Sequence, residues 1–303
     1  MPSVNGLQES TLRTSGRTSH RNTRSSWRKK YSVWMLGALL LFPSLVLAGG
    51  IPLPQELNVT ASVAKGVRDG LWEKTLIVRF PEKRRTLSTT DGFADAQAAI
   101  NHAAQPELWM KLHAEMQTRH ELGGNVYVRK IQEKIADNLG VKREDVAQMS
   151  TAADMDNLAV VSKIFKPFVV TALVTAGAKT NAQRTGVDEG TYIEGDEPKG
   201  TVNILILTNA RLTDGAMARA LITVTEAKTA AFEDLRIPSS YTKGAQATGT
   251  GTDSIIIATG TTGPKVTYTG GHNRIGELIG KAVYEAVIEA LGKQNGFRKD
   301  LPH

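Results

Sequence analysis

Cysteine does not occur among the 303 residues. Its absence excludes a disulfide framework, a thiolate nucleophile and any zinc or iron–sulfur centre held by Cys. A surplus of charge over the body of the chain is also missing. The totals are 37 Lys and Arg against 30 Asp and Glu. Residues 1–48 take seven of the basic groups (Arg13, Arg17, Arg21, Arg24, Arg28, Lys29 and Lys30) and one acid, Glu9, which leaves 30 basic and 29 acidic groups for the rest. The body therefore has no electrostatic footprint for a nucleic acid, and none is expected as a partner. Several catalytic signatures are lacking as well. Gly249-Thr250-Gly251 has no strand–GxGxxG–helix context, and no P-loop Lys or G-x-S-x-G elbow is present. His120-Glu121-Leu122-Gly123-Gly124 begins like a zinc-binding helix, but Gly124 stands where the second His ligand is needed. His102, His113 and His120 read as solvated helix-face residues.

What is present starts with a leader. Residues 1–30 are polar and basic and end in Trp27-Arg28-Lys29-Lys30, and residues 31–48 carry no charge and are rich in Leu. A basic flank, an apolar segment and Val46-Leu47-Ala48 with a small terminal residue form a secretory signal pattern. Eighteen residues at helical rise also come close to the hydrocarbon thickness, so a membrane anchor is the alternative. Either way the body lies outside the cytoplasm, in the periplasm or an equivalent compartment, and touches the membrane only through residues 31–48 if they are not cut. A mis-assigned start codon would instead leave it cytoplasmic. Residues 49–70 read as a linker, 71–297 as one domain and 298–303 as a tail.

Within the domain, Lys74–Phe80 reads as a strand. Residues 93–104 and 106–120 are rich in Ala, Leu, Glu and Lys and read as helices. Val126, Ile131, Ile135 and Leu139 recur at helical spacing, with Gly140 as a C-cap. Phe168–Thr175, Thr201–Thr208 and Asp253–Thr259 are apolar, β-branched runs of strand length, and Lys265–Thr269 is a shorter one. Residues 213–235 and 273–291 carry apolar stripes of long helices. These elements predict an α/β (or α+β) fold: a single layered domain with a mixed β-sheet packed by long helices.

Small polar residues cluster at the strand ends: Thr175, Gly177 and Asn181; Thr208-Asn209; Thr250 and Gly251 with Asp253; and Gly271-His272. Ligands of layered α/β folds bind where strand ends expose backbone N–H groups. Glu226 and Lys228 lie on an otherwise apolar and small stretch of helix, where a charge either pairs or serves a site. His272 follows two glycines at a helix entrance and is placed to act as a general base near neutral pH.

Taken in order, Met149–Ala153, Val174–Gly177 with Asn181-Ala182, Gly200–Leu205, Thr225–Ala230, Ala247–Asp253 and Tyr268–His272 with Gly276–Leu278 resemble the adenosylcobinamide amidohydrolase family of corrinoid salvage. The similarity runs over about residues 75–295, and the leader is a departure from a family usually thought of as cytoplasmic. The resemblance implies hydrolysis of the amide joining aminopropanol to the corrin ring of adenosylcobinamide, giving adenosylcobyric acid. It implies a corrinoid small molecule as partner and no resident cofactor, since the substrate brings its own cobalt. From the residues themselves, amide hydrolysis needs a nucleophile, a proton carrier and an oxyanion site. Water activated by His272, oriented by Asp253 or Glu226, satisfies this, with backbone N–H groups of Thr250-Gly251 or Gly270-Gly271 facing the oxyanion. Thr175, Thr250 and Ser240 are alternative nucleophiles, and a metal held by Asp253, Glu226 and His272 has no supporting spacing. Thr175, Gly177, Asn181, Asn209, Lys228, Thr250, Gly251 and Gly271 are the expected substrate contacts. A non-catalytic, extracytoplasmic corrinoid-binding protein is the rival function. For the leader, N-terminal sequencing of the mature protein is expected to begin at Gly49, whereas a cytoplasmic product beginning at Met1 would refute both export and anchoring.

Overall fold

The computed structural model describes residues 46–117, 123–190 and 200–299, with side chains for 49–111, 127–190 and 200–299. The strands are β1 (Val46–Ile51), β2 (Thr60–Arg68), β3 (Leu71–Ser88), β4 (Gly92–Ala104), β5 (Val146–Thr151), β6 (Ala159–Phe165), β7 (Phe168–Ala176), β8 (Ala182–Gln183), β9 (Val202–Thr208), β10 (Arg211–Leu212), β11 (Gly249–Thr250), β12 (Ser254–Ala258) and β13 (Lys265–Val266). The helices are α1 (Pro106–Gln117), α2 (Gly123–Leu139), α3 (Asp214–Asp234) and α4 (Arg274–Asn295). A nine-stranded mixed sheet runs β6-β7-β9-β12-β3-β4-β5, with β2 and β1 added to the first half of β3.

The sheet curls because β3 changes neighbour part-way along. Its residues 71–79 pair with β2, whereas Thr86–Ser88 pair with β12, and β4 follows it on the other side throughout. The β3–β4 register shifts between Arg79 and Arg84. Pro81 falls in this irregularity, where its missing N–H costs no ladder bond. Arg84 is buried there, donates to the carbonyls of Leu57 and Asn58 at 2.6 and 3.0 Å, and lies over the Phe80 ring.

Strand alternation then sorts the apolar residues into three layers. Val170, Ala172, Val174, Val202, Ile204, Ile206, Ile255 and Ile257 face α3 and α4. Leu173, Leu205, Leu207, Ile256, Leu76, Val78, Ala99 and Ala103 meet inside the curl. Ala98, Ile100, Ala104 and Val146 face α2 and the start of α1. The order is helix, sheet, sheet, helix, which is the mixed layered domain that the periodicities predict.

Three regions differ from the sequence reading. Residues 93–104 form β4 and not a helix. Its alanines have high helix propensity, but β4 is buried on both faces between β3 and β5, where short side chains let the layers close. Residues 49–70 are not a linker: they hold the end of β1, a short 3-10 turn at Gln55–Leu57 and β2. β1 pairs with β2 through Val46↔Lys65 and Leu47↔Ala64, so the predicted cleavage point after Ala48 falls within a strand. Strands β5 and β6 have no counterpart in the sequence reading.

His102 is a further difference, because it sits on β4 with no exposed surface. Tyr127 donates its hydroxyl to Glu73 at 2.9 Å, so His102 Nε2–H donates to the Tyr127 oxygen at 2.9 Å and Nδ1 accepts from Thr75 at 2.9 Å. Burial first, then the positive charges of Arg68 and Lys134, pull the imidazole down from 6.5 to about 3. Burial pushes the Tyr127 hydroxyl up, helped by the Glu73 carboxylate. His113 and His120 lie outside the residues with described side chains. Because the unfolded chain protonates His102 near 6.5 and the folded chain resists until about 3, stability is full above that range and falls as pH drops through it. Denaturation from about pH 6 to about pH 4 is expected to lose up to about 1.4 kcal/mol per pH unit from this group, and His102→Gln to flatten that slope.

Candidate active site at the strand-end cluster

Strand directions bring the site together. β7 is antiparallel to β9 and β9 parallel to β12, so the end of β7 and the starts of β9 and β12 lie along one rim. The short β8–β11 pair, Gly249↔Gln183 and Thr250↔Ala182, ties residues 181–183 to the 249–253 turn at this rim.

Asp253 is the hub. Its carboxylate accepts from the Val202 N–H at 3.1 Å, the Thr250 N–H at 3.2 Å, the Thr250 hydroxyl and the Lys228 ammonium. Lys228 reaches it from α3 and is buried, as is Thr250. A buried ammonium requires such a paired acceptor, since an isolated one would be neutralised or expelled. Gly249 lies tight against this pair: a Cβ would run into the Lys228 ammonium and the Asp253 carboxylate unless they shifted.

Beside this pair lies a network of neutral groups. Asn181 Nδ2 donates to the Gly200 carbonyl at 2.8 Å, and the Thr252 hydroxyl donates to the same oxygen at 2.7 Å. The half-exposed Tyr241 donates its hydroxyl to Asn181 Oδ1 at 2.7 Å, which orients the amide. The Thr201 hydroxyl donates to the Thr252 carbonyl at 2.5 Å and lies 3.2 Å from Asn203 Oδ1. Asn203 in turn donates to Asn101 Oδ1 and to the Ser150 carbonyl, and Asn101 donates to Thr175. A polar seam thus runs from the rim into the space between the two layers of sheet.

Of the residues singled out in the sequence, the structure brings together Asp253, Lys228, Thr250, Gly251 and Asn181. Thr175 stands behind them, fully buried as an acceptor for Asn101, and Gly177 donates its N–H to the Thr201 carbonyl. The others do not join. Asn209 is at the opposite end of β9, where it fastens the β6–β7 turn through Val169 and Pro167. Gly271 and His272 are exposed. His272 packs on Tyr268, which carries Arg219, and Thr269 is tied to Ala216 near the start of α3. Glu226 is exposed on α3, two residues from Lys228 and therefore turned away from it. Ser240 is engaged as the acceptor of the Ala182 N–H. Asp253, Glu226 and His272 are not gathered, and among the described residues no three His, Asp or Glu groups are placed to hold a metal ion.

Sequence reasoning missed Thr201, Thr252, Gly200 and Tyr241 as site members. One signal was available: Asn203, a lone amide inside the otherwise apolar run after Gly200-Thr201, marks a strand that must satisfy a polar group in the core.

A family model described as adenosylcobinamide amidohydrolase matches residues 58–299, from just before β2 to past the end of α4. The chain belongs to this family. An uncharacterized protein of Methanocaldococcus jannaschii is 46% identical over 243 residues, covering 75% of this chain and 90% of that protein. The adenosylcobinamide amidohydrolase of Methanosarcina mazei is 31% identical over 150 residues, covering 46% of this chain and 64% of that protein. Among solved structures, a β-aminopeptidase of a Burkholderia species is similar with a TM-score of 0.37 and 12% identity, over 82% of this chain and 90% of that one. Family membership makes this a hydrolase-family protein and extends the resemblance read from the sequence by one strand at its N-terminal side. Among the described residues no helix is long and apolar enough to cross a membrane; residues 31–45 of the predicted signal or anchor lie outside them.

Gly249→Ala is expected to separate Lys228 from Asp253 and to cost about 1–3 kcal/mol, as overpacking does. Thermal melting of the variant beside the unchanged chain measures it, and an unchanged melting temperature would show that the turn gives way freely.

Proposed function

We propose that this protein hydrolyses the aminopropanol amide of adenosylcobinamide to give adenosylcobyric acid. The observation that carries the reading is the paired placement of Asn181 Nδ2 and the Thr252 hydroxyl, which converge on the Gly200 carbonyl oxygen, beside the buried Thr201 hydroxyl and the Lys228–Asp253 pair. Two preset donors aimed at a carbonyl oxygen stabilise the charge that develops there when a nucleophile adds. Asp253 supplies the negative charge that a proton-transferring group needs nearby, and Lys228 holds it in place. Membership of the amidohydrolase family supports the choice of a corrinoid amide as substrate. Short side chains and glycines at 249–252 permit close approach of the bulky, amide-fringed corrin.

The proposed hydrolysis needs no cofactor of the protein's own, the cobalt being the substrate's. The basic and apolar leader supports a body that works outside the cytoplasm. His272 and Glu226 have no part in the hydrolysis: the hydrogen bonds and ion pairs described for the site do not include them.

Turnover decides between this activity and a binding protein. Residues 1–303, incubated with adenosylcobinamide in excess, are expected to release aminopropanol over many cycles, seen by mass spectrometry of the products. Release that stops at or below one equivalent would favour corrinoid binding alone. Asp253→Asn is expected to lower turnover by about 10²–10⁴-fold. His272→Ala and Glu226→Gln should stay within about two-fold, and a large loss in either would return that residue to the reaction.

A further inference from the structure

The carbonyl held by Asn181 and Thr252 belongs to the chain itself. It is the Gly200 carbonyl, and the next residue is Thr201, whose hydroxyl is buried in the same network. We infer that the protein cleaves its own Gly200–Thr201 peptide bond, and that the Thr201 so released is the nucleophile of the amide hydrolysis. This rests on the function proposed above and extends it.

Several observations converge on this bond. Gly200 is held at φ +116°, a conformation that residues with side chains rarely adopt. A Cβ there would lie 3.0 Å from Asn181 Cβ and 3.2 Å from the Gly177 carbonyl oxygen. Only glycine therefore presents its carbonyl to both donors. A peptide carbonyl that accepts from two side chains, one of them an amide locked by Tyr241, is polarised for attack. The Thr201 hydroxyl belongs to the residue on the nitrogen side of that carbonyl. Its addition closes a five-membered ring and needs no approach from outside. The Asp253 carboxylate stands one residue further on, bound to the Val202 N–H, and carries the Lys228 charge.

The Thr201 oxygen bonds to the Gly200 carbonyl carbon, and its proton passes to the Thr201 nitrogen as the C–N bond breaks. This leaves an ester between Gly200 and the Thr201 side chain, with a free α-amine on Thr201. Water then hydrolyses the ester to the Gly200 carboxylate and the Thr201 hydroxyl. One water is consumed, and no oxidant or metal is required.

The product supplies what the intact site is short of. Lys228 is committed to Asp253, and both described histidines, His102 and His272, lie elsewhere. A free α-amine titrates near neutrality, at about 7.7–8.0 in model compounds, and on Thr201 would act as base for its own hydroxyl. Departure of Gly200 frees Asn181 and Thr252 to hold the carbonyl of an incoming amide.

The test uses the full chain. Purified protein is expected to separate under denaturing conditions into residues 1–200, less any leader, and residues 201–303, with masses summing to the precursor plus one water. The smaller chain should begin Thr-Val-Asn-Ile. Under native conditions the two should stay together, because β9 lies between β7 and β12. Thr201→Ala should remain a single chain, Thr201→Ser should still cleave, and Asn181→Ala should cleave about 10²–10³-fold more slowly. If Thr201→Ala fails to fold, the contrast between Thr201→Ser and Asn181→Ala carries the test. Cleavage that persists in folded Thr201→Ala, or a wild-type chain that stays single, overturns the inference. A single chain that still releases aminopropanol overturns the cleavage and leaves the proposed function standing. A chain cut at this bond that releases none overturns the substrate assignment and leaves the cleavage standing.

Discussion

The insertion of one short strand between two others makes the rest of the architecture possible. β12 pairs in parallel with β9 along its whole length and antiparallel with the last three residues of β3. Without it the β6-β7-β9 part of the sheet and the β3-β4-β5 part would have no shared edge. With it they form one curled surface whose concave side is filled by Ile256, Leu205, Leu173 and Val78. Asp253 precedes β12 directly. The residue that organises the polar rim is thus fixed by the strand that joins the two halves, and site geometry and sheet closure are the same constraint.

The rim also explains how a protein with little net charge in its body carries a buried ion pair. Lys228 and Asp253 are accepted in the interior because every donor near the carboxylate is satisfied by it, two of them from Thr250 and one from the backbone of β9. A pair of this kind adds little to stability over an apolar contact of the same shape, and it is strongly destabilising to break. Its presence at the rim therefore suits chemistry better than stability.

The strongly apolar runs were legible from the sequence. β7, β9, β12, α3 and α4 lie where β-branched composition or helical spacing places them, because for these elements local pattern and burial agree. β4 was not legible, since an Ala-rich segment takes its structure from its neighbours. β1 and β2 were hidden by glycines and prolines that suggest a linker. At the site, the cluster ending in Asp253 and the placement of Lys228 in an apolar helix could be read directly. His272 could not be judged, because a Gly-rich entry to a helix looks the same at either end of a sheet. Asn209 misleads for a related reason: it does follow an apolar strand, but β9 has two ends, and the polar cluster around Asp253 lies at its start. Thr201 gives no signal in the sequence, because a Thr at the head of a strand is ordinary until its neighbours across 51 residues of chain, Thr252 above all, are known.

The polar rim draws on five separated stretches of the chain, around residues 181, 201, 228, 241 and 253. Contacts of such long sequence separation form late, after the loop-closure entropy of the intervening segments has been overcome. An unfinished chain emerging from synthesis holds Gly200 and Thr201 well before it holds Thr252 and Asp253. The reactive arrangement is therefore unavailable to nascent or misfolded molecules, and folding itself acts as the timing device for whatever chemistry the rim performs.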